Sequence, residues 1–387
     1  MLVRTLLPVG KRKVVQFGQF HRPCIKELSP QTSSRMRCAT LAFRCVKHQL
    51  GLPLIRFAST SSSVVTKLAY DKYVDEYDYG PELTVPLVMV HGLFGHKENW
   101  RSLAKALQQR LGNTVFTLDL RNHDGDDILF DILRHPSAAE IGYDCSESSH
   151  RNTSLIFIFE AVENQMYCLG DSPWTESMSY EEMANDVKHF LDEVVPAETD
   201  GRHTRVHLLG HSMGGKTAMQ VALAKGAEQR LESLIVEDIA PKPYDTASHH
   251  NFPKYIETMK KASLTGSRGE ISLYLSQIVH DVPTRQFLLT NLERTDSGYK
   301  WKFNLNALLA NMEHICGFNM PKNAVFQRKC LFISGSLSTY VVPEEYPTIL
   351  ERFPKAEFSV IEGASHWIHA DKPYPFMEKV VEFIESV

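Results

Sequence analysis

The sequence lacks the features that mark several classes of protein. No apolar run approaches the roughly 20 residues that a membrane-spanning helix needs, which excludes a helical membrane protein. The cysteines number seven, and no two form a CxxC pair, which predicts a reducing compartment and no metal site. The net charge is −4 and the body of the chain has no polybasic segment, so nucleic acid is not an expected partner.

Acidic residues are almost absent from the first 62 residues, where Glu27 is the only one. Arginines and lysines recur through this stretch, and serines and one threonine close it at residues 59–63. Such a composition is typical of a mitochondrial transit peptide. A secretory signal is disfavoured because no clean apolar segment follows the first basic residues. We predict that residues 1–62 are a transit peptide or a disordered tail, cleaved near Arg56, and that the protein resides in the mitochondrial matrix.

The rest of the chain, residues 64–387, alternates between strand and helix patterns. Short, mostly apolar runs of strand length indicate the strands of a sheet, and the continuous run at 86–91 is typical of a strand buried on both faces. They fall at residues 86–91, 114–120, 206–209, 234–239, 329–334 and 356–361, after a loosely alternating stretch at 64–73. Helical spacing occurs at 98–111, after the capping box Ser179–Glu182, and at 374–384. The alternation predicts an α/β fold with a mostly parallel central sheet flanked by helices.

One block interrupts this alternation. No strand pattern is visible from residue 241 to about 325, where the segments 255–264, 271–279 and 285–292 have helical character. We expect residues 241–325 to form a mostly helical cap over one edge of the sheet.

The stretch VHLLGHSMGGKT at residues 206–217 organises the chain. An apolar strand stops at Gly210, and a helix-forming run follows Gly214 and Gly215. Small residues around a serine allow a strand and a helix to meet in a sharp turn that exposes the serine hydroxyl. The pattern indicates a nucleophile elbow with Ser212 as the nucleophile.

The same letters fit a second motif. Gly210, Gly215, Lys216 and Thr217 match the phosphate-binding pattern GxxxxGK[ST], which also lies between a strand and a helix. The acids at 237–238 end the next strand, as a magnesium–nucleotide site requires. These residues alone therefore leave a nucleotide-binding loop and a serine nucleophile open, beside a glycine-rich turn without chemistry.

Two further motifs favour the serine nucleophile. HGLFG at residues 91–95 follows a buried strand, where the backbone N–H of Leu93, or of Phe94 as second choice, would bind an oxyanion with the N–H of Met213. His366 lies in GASHW after the last strand, in the position of a general base. A nucleotide-binding loop needs neither motif, and it usually follows the first strand of its sheet.

Taken together, the motifs resemble one family. HGLFG, LDLRNH, DSPW, MSYEEMANDV, GHSMGGKTAM, VEDIAP, RQFLLTNL and GASHWIHAD are similar to the abhydrolase-domain protein 11 group of α/β-hydrolases and to bacterial YbfF-type esterases. The resemblance runs from about residue 87 to the end, apart from one insert. It implies a mitochondrial serine esterase or lipase of acyl esters that uses no metal cofactor, with diacylglycerol as a proposed substrate. It also implies a possible association with the 2-oxoglutarate dehydrogenase complex.

The acid of the expected Ser-His-Asp triad is not in its usual place. The loop after the strand at 329–334 reads GSLSTY and has no aspartate. In the resembling group the acid can follow the preceding strand, which implies Asp238 here. Asn306 cannot serve as a carboxylate, and Glu344 is a distant reserve.

Other polar residues have weaker functional readings. We expect His91 to support the oxyanion loop, and we expect His211 to be a packing residue. Lys216 is expected at the surface or in packing near a helix start. The spacing His366-x4-Asp371 also occurs in acyltransferases, so acyl transfer stays an alternative, as does a binding protein without catalysis on the same fold.

One segment does not fit the family pattern. RNH at residues 121–123 and GDSPW at 170–174 read as a single motif that residues 124–169 divide. This insert begins with an acidic run and contains two of the cysteines, but shows no amphipathic period that would suit a lid. We predict an atypical insert, either foreign to the fold through a retained intron or gene-model error, or a genuine lid.

Overall fold

The computed structural model describes residues 65–74, 84–123, 172, 174–245 and 251–387. The predictions for the leader at 1–62 and for the insert at 124–169 lie outside these residues.

A seven-stranded sheet forms the centre of the described chain. Its strands, in chain order, are β1 (Tyr70–Tyr73), β2 (Leu87–Val90), β3 (Val115–Leu118), β4 (Val206–His211), β5 (Leu231–Glu237), then β8 (Cys330–Gly335) and β9 (Ala356–Ile361), with β6 (Leu292–Thr295) and β7 (Gly298–Trp301) forming a separate hairpin. The spatial order in the sheet is β1-β3-β2-β4-β5-β8-β9. Only the edge strand β1 runs antiparallel to its neighbour. The predicted α/β fold with a mostly parallel sheet is confirmed.

Helices surround this sheet and follow its strands. Those described are α1 (Arg101–Leu111), α2 (Tyr180–His189), α3 (Val195–Glu198), α4 (Met213–Ala222), α5 (Phe252–Lys261), α6 (Arg268–Leu275), α7 (Val282–Leu289), α8 (Leu305–Ala310), α9 (Met312–Cys316), α10 (Tyr346–Arg352), α11 (Ile368–Asp371) and α12 (Pro373–Glu385). A turn of π-helix, Phe190–Val194, joins α2 to α3. Within the described ranges, no helix has the length and apolar character needed to cross a bilayer.

The core consists of two apolar clusters, one on each face of the sheet. In β2, Val88 and Val90 belong to one cluster, and Leu87 and Met89 belong to the other. Successive side chains of a strand point to opposite faces, so both sets are buried only when helices cover both faces. This explains why the central strands read as unbroken apolar runs.

The residues on either side of 124–171 are held to the same part of the fold. Asn122 and Thr175 exchange two hydrogen bonds, of 2.7 and 3.1 Å. The Ser172 hydroxyl donates to the carbonyl of Asp119 at 2.6 Å. Beside them, the buried Arg121 binds the carboxylate of Asp186 on α2 through two nitrogens. The two halves of the divided motif therefore meet in one place.

The block after β5 contains the helices α5 to α9, together with the hairpin β6–β7 that the sequence reading did not predict. The hairpin has four residues in each strand, and only Leu292 and Trp301 are buried. Most of its side chains are polar, so no apolar run marked it. Trp301 anchors the hairpin to the helices, because its indole N–H donates to the carbonyl of Met259 at 3.1 Å.

Candidate active site

Ser212 lies in the turn between β4 and α4, and its backbone is in an unusual conformation. Its φ is 52° and its ψ is −116°. Glycines are required around it because the strand and the helix approach so closely. A Cβ on Gly210 would lie 2.2 Å from the carbonyl oxygen of Gly214, and one on Gly214 would lie 2.4 Å from that of His91. The local geometry is that of a nucleophile elbow.

Three predicted site residues form one hydrogen-bonded chain. The Ser212 Oγ lies 2.9 Å from Nε2 of His366, and Nδ1 of His366 lies 2.7 Å from Oδ2 of Asp238. The Asp238 side chain is fully buried, whereas 11% of the His366 side chain is exposed. A neutral imidazole with its proton on Nδ1 satisfies both contacts, because it donates to the carboxylate and accepts from the serine.

The loop after β8, which reads GSLSTY and has no acidic residue of its own, holds the carboxylate of Asp238. The Gly335 N–H donates to Oδ1 at 3.2 Å, and the Ser338 hydroxyl donates to Oδ2. Burial raises the pKa of Asp238, and these two hydrogen bonds oppose the shift because they stabilise the carboxylate. Sequence reasoning missed Ser338, although the loop GSLSTY was its visible signal.

Tyr340, in the same loop, packs on the imidazole. The rings of Tyr340 and His366 are stacked, with centroids 3.9 Å apart and planes 20° apart. This contact covers one face of the imidazole and restricts the rotation of its ring. Tyr340 was also missed from the sequence.

The residues that precede the serine and the aspartate hold the loop of His366. His211 donates from Nε2 to the carbonyl of His366 at 2.9 Å, and burial lowers the pKa of His211 to about 3, so its ring is neutral. The buried carboxylate of Glu237 accepts from the backbone N–H and from Nδ1 of His369, at 2.9 and 2.8 Å. His211, predicted as a packing residue, thus also makes a directed contact.

His211, Glu237 and His369 also form, among the described residues, a group whose ligand atoms lie within 4.8 Å of one another, close enough for a metal ion. Their polar contacts in the structure are hydrogen bonds within the protein. The cluster therefore has a structural explanation as the support of the segment that carries His366.

The predicted oxyanion donors lie beside Ser212. Leu93 lines the same cavities as Ser212, and Met213 is the first residue of α4, where an amide has no acceptor within the helix. His91 supports the loop as expected, because Nδ1 donates to the Gly92 carbonyl at 2.8 Å and Nε2 accepts from the Leu120 N–H at 3.1 Å.

Phe94 in this loop has a φ of 62°, in the left-handed region that non-glycine residues rarely adopt. A residue of the cap stabilises this conformation. Asn291, fully buried at the start of the hairpin, donates to the Phe94 carbonyl at 2.9 Å. The asparagine belongs to the RQFLLTNL motif, whose role was not recognised from the sequence.

The remaining candidates have structural contacts. Lys216 is a buried residue of α4, 2% exposed, and not a surface residue. Its ammonium donates to the carbonyls of Cys316 and Gly317. Asp371 accepts from the backbone N–H and the hydroxyl of Ser365, so it caps the loop before His366. Glu344 and Asn306 are exposed.

The comparison with known families decides the classification. A model described as the alpha/beta hydrolase family matches residues 87–379. The chain belongs to the alpha/beta hydrolase family. A solved structure of a marine microorganism esterase is 30% identical, with a TM-score of 0.62, and the match covers 82% of this chain and 99% of that one. The predicted α/β-hydrolase fold is confirmed.

The relatives of this hydrolase include a lipase and an esterase. The sn-1-specific diacylglycerol lipase ABHD11 of Danio rerio is 33% identical over 325 residues, 82% of each chain. Esterase YbfF of Escherichia coli is 28% identical over 301 residues, 78% of this chain and 93% of the relative. A probable alcohol acetyltransferase of Saccharomyces cerevisiae is 28% identical over 320 residues, 78% and 77% of the two chains. The predicted resemblance to the abhydrolase-domain protein 11 group and to YbfF-type esterases is confirmed.

Proposed function

We propose that this hydrolase cleaves carboxylic acyl esters through Ser212, His366 and Asp238, with a covalent acyl-enzyme intermediate. The observation that carries the proposal is the chain of hydrogen bonds from the Ser212 hydroxyl to His366 and from His366 to Asp238, at 2.9 and 2.7 Å. That the chain is a carboxylic ester hydrolase also has the support of the lipase and esterase relatives.

The reaction follows from the positions of these groups. His366 accepts the proton of Ser212 as Oγ attacks the ester carbonyl, and the carboxylate of Asp238 stabilises the imidazolium. The amides of Leu93 and Met213 receive the negative charge on the carbonyl oxygen, and each such donor typically contributes roughly 3 kcal/mol. His366 then protonates the leaving alcohol, and water activated by the same base releases the acid.

Lipid acyl esters are the substrate class that we propose. The cavities beside Ser212 are lined mainly by apolar and aromatic side chains such as Phe252, Phe287 and Trp367. Apolar walls favour a hydrocarbon acyl group over a charged one. The Danio rerio relative is named as a diacylglycerol lipase, which makes glycerol esters of fatty acids the first compounds to test.

The Ser212 hypothesis predicts loss of activity in a single variant. Ser212→Ala should lose ester hydrolysis by a factor on the order of 10⁵–10⁶, because the nucleophile is removed while the fold keeps its core. The measurement is the rate of nitrophenyl butyrate hydrolysis, together with covalent labelling by a fluorophosphonate. Ser102→Ala, at an exposed serine on α1, is the matched control and should behave as wild type. Labelling that persists in folded Ser212→Ala protein contradicts the assignment.

Acyl transfer to an alcohol is a second candidate, favoured by the relative named as a probable alcohol acetyltransferase. Both reactions share the acyl-enzyme and differ only in whether water or an alcohol attacks it. We expect water to be the main acceptor. The test is the ratio of free acid to ethyl ester formed from nitrophenyl butyrate as ethanol is added. Near-complete ester formation at ethanol far below the molarity of water would instead assign an acyltransferase.

A further inference from the structure

Two small cavities meet at Ser212 in the described part of the chain. The first, of about 40 Å³, is lined by residues that include Met213, Lys216 and Tyr180. The second, of about 20 Å³, is lined by residues that include His366 and Trp367. Each has room for only a few water molecules.

The position of His366 indicates which cavity binds the alcohol part of an ester and which binds the acyl part. On the proposed function, on which this step rests, His366 protonates the oxygen of the leaving alcohol, so the alcohol must lie within reach of His366. His366 lines the second cavity and not the first. The acyl chain therefore occupies the first cavity, on the side of Met213 and Lys216.

Lys216 connects the two walls of this acyl cavity. It belongs to α4, the helix that begins at the nucleophile, and its ammonium donates to the carbonyls of Cys316 and Gly317 at 3.0 and 2.9 Å. Those carbonyls are at the end of α9 in the cap, where a helix leaves its last carbonyls without partners. The lysine thus joins the cap to the helix of the nucleophile.

Aromatic side chains complete this connection. The ammonium lies 4.8 Å from the ring centroid of Tyr244 and 5.4 Å from that of Tyr180, within the range of cation–π attraction. The Tyr180 hydroxyl donates to the Ile315 carbonyl at 2.6 Å, and the Tyr244 N–H donates to the Cys316 carbonyl at 2.9 Å. The three consecutive carbonyls of residues 315–317 therefore all accept hydrogen bonds from Tyr180, Tyr244 or Lys216.

The lysine is an unusual choice for such a position. Among the described residues it has no carboxylate partner, and burial lowers the pKa of its ammonium to about 7. In the described part of the chain, backbone carbonyls and aromatic faces compensate the ammonium for its loss of water contacts. An apolar side chain of the same length would fill the space at lower desolvation cost but could not hold the cap.

We propose that Lys216 determines the acyl-length specificity of this hydrolase by holding residues 315–317 against α4, which keeps the acyl cavity short. An acyl chain of more than a few carbons enters only when this segment moves away. Lys216 is thus a specificity-determining residue and takes no part in proton transfer.

The test uses Lys216→Met in the full chain, because methionine keeps the side-chain length and removes the donors. The readout is the ratio of kcat/KM for nitrophenyl decanoate to kcat/KM for nitrophenyl butyrate. A variant that merely folds less well loses both activities equally, so this ratio reports specificity alone. We expect the ratio to rise by about tenfold or more, the scale of discrimination by a hydrophobic pocket. Lys225→Met, at an exposed lysine after α4, is the matched control and should keep the wild-type ratio.

Hydrogen exchange gives an independent readout, and the amides of residues 312–318 should exchange faster in Lys216→Met. If that variant does not fold, Tyr180→Phe removes the neighbouring hydroxyl contact and should raise the ratio in the same direction. A wild-type ratio in a folded, active Lys216→Met or, failing that, Tyr180→Phe overturns the inference. Absence of hydrolysis of both esters by the wild-type chain would instead contradict the proposed function.

Discussion

At the scale of single residues, the loop after β8 supports the candidate triad although it supplies no carboxylate itself. The loop after β8 has no aspartate, yet Ser338 and Gly335 bind the carboxylate of Asp238 and Tyr340 stacks on His366. The acid comes from the end of β5, and the neighbouring loop orients it. Asp238 was predicted from the resemblance to the abhydrolase-domain protein 11 group, in which the acid can follow the preceding strand.

Asp238→Asn is predicted to lower kcat by a factor on the order of 10⁴, because an amide can leave the His366 imidazole in the wrong tautomer and cannot stabilise its cation. The measurement is steady-state hydrolysis of nitrophenyl butyrate by folded protein. Glu344→Gln changes an exposed acid and serves as the control that should keep wild-type kcat. Near-normal kcat in Asp238→Asn, with a large loss in Glu344→Gln, would transfer the role to Glu344.

Other residue contacts could not be read from the sequence. His211 and His366 are 155 positions apart, and Glu237 and His369 are 132 apart. No local pattern reports such distant pairs, which form only when β4 and β5 bring their ends to the segment after β9. The sequence left Lys216 open between a surface and a packing position for the same reason, since its burial depends on contacts with Cys316 and Gly317, about 100 positions further along the chain.

At the scale of elements, the sequence predicted the strands and helices that have a clear apolar pattern or a capping motif. β9 spans Ala356–Ile361, the predicted range, although it is an edge strand in which only Ile361 is buried. α2 begins after Ser179 because the serine and Glu182 form the predicted capping box. The hairpin β6–β7 was missed because its strands are short and mostly polar.

The sheet order was also beyond local patterns. Alternation of strands and helices implied parallel pairing, but not that β3 lies between β1 and β2. That order places the ends of β2, β4, β5 and β8 side by side, and the loops after these strands carry the oxyanion residues, the serine, the aspartate and Ser338. The elbow motif thus indicated where the serine lies, whereas no motif indicated the order of the strands that support it.

At the scale of the whole molecule, some predictions concern residues that are not described. The mitochondrial address of residues 1–62 and the association with a dehydrogenase complex stay predictions. The insert differs from them, because the residues on both sides of it are described. Asn122 is bonded to Thr175, and Ser172 is bonded to the carbonyl of Asp119, so a short connection can span the gap.

Deleting residues 124–169 is predicted to preserve or raise both stability and esterase activity. The deletion joins His123 directly to Gly170, which gives a connection of ordinary length between β3 and α2. The deletion shortens this connection from 61 to 15 residues, about fourfold, which lowers the free-energy cost of closing it by about 1 kcal/mol, in favour of the folded chain. The measurements are the midpoint of thermal unfolding and kcat/KM for nitrophenyl butyrate, compared with the full chain. Ser212→Ala placed in the shortened chain is the control, and it should abolish whatever activity the deletion variant retains. A shortened chain that unfolds, or that loses activity present in the full chain, would make residues 124–169 a working part of the enzyme.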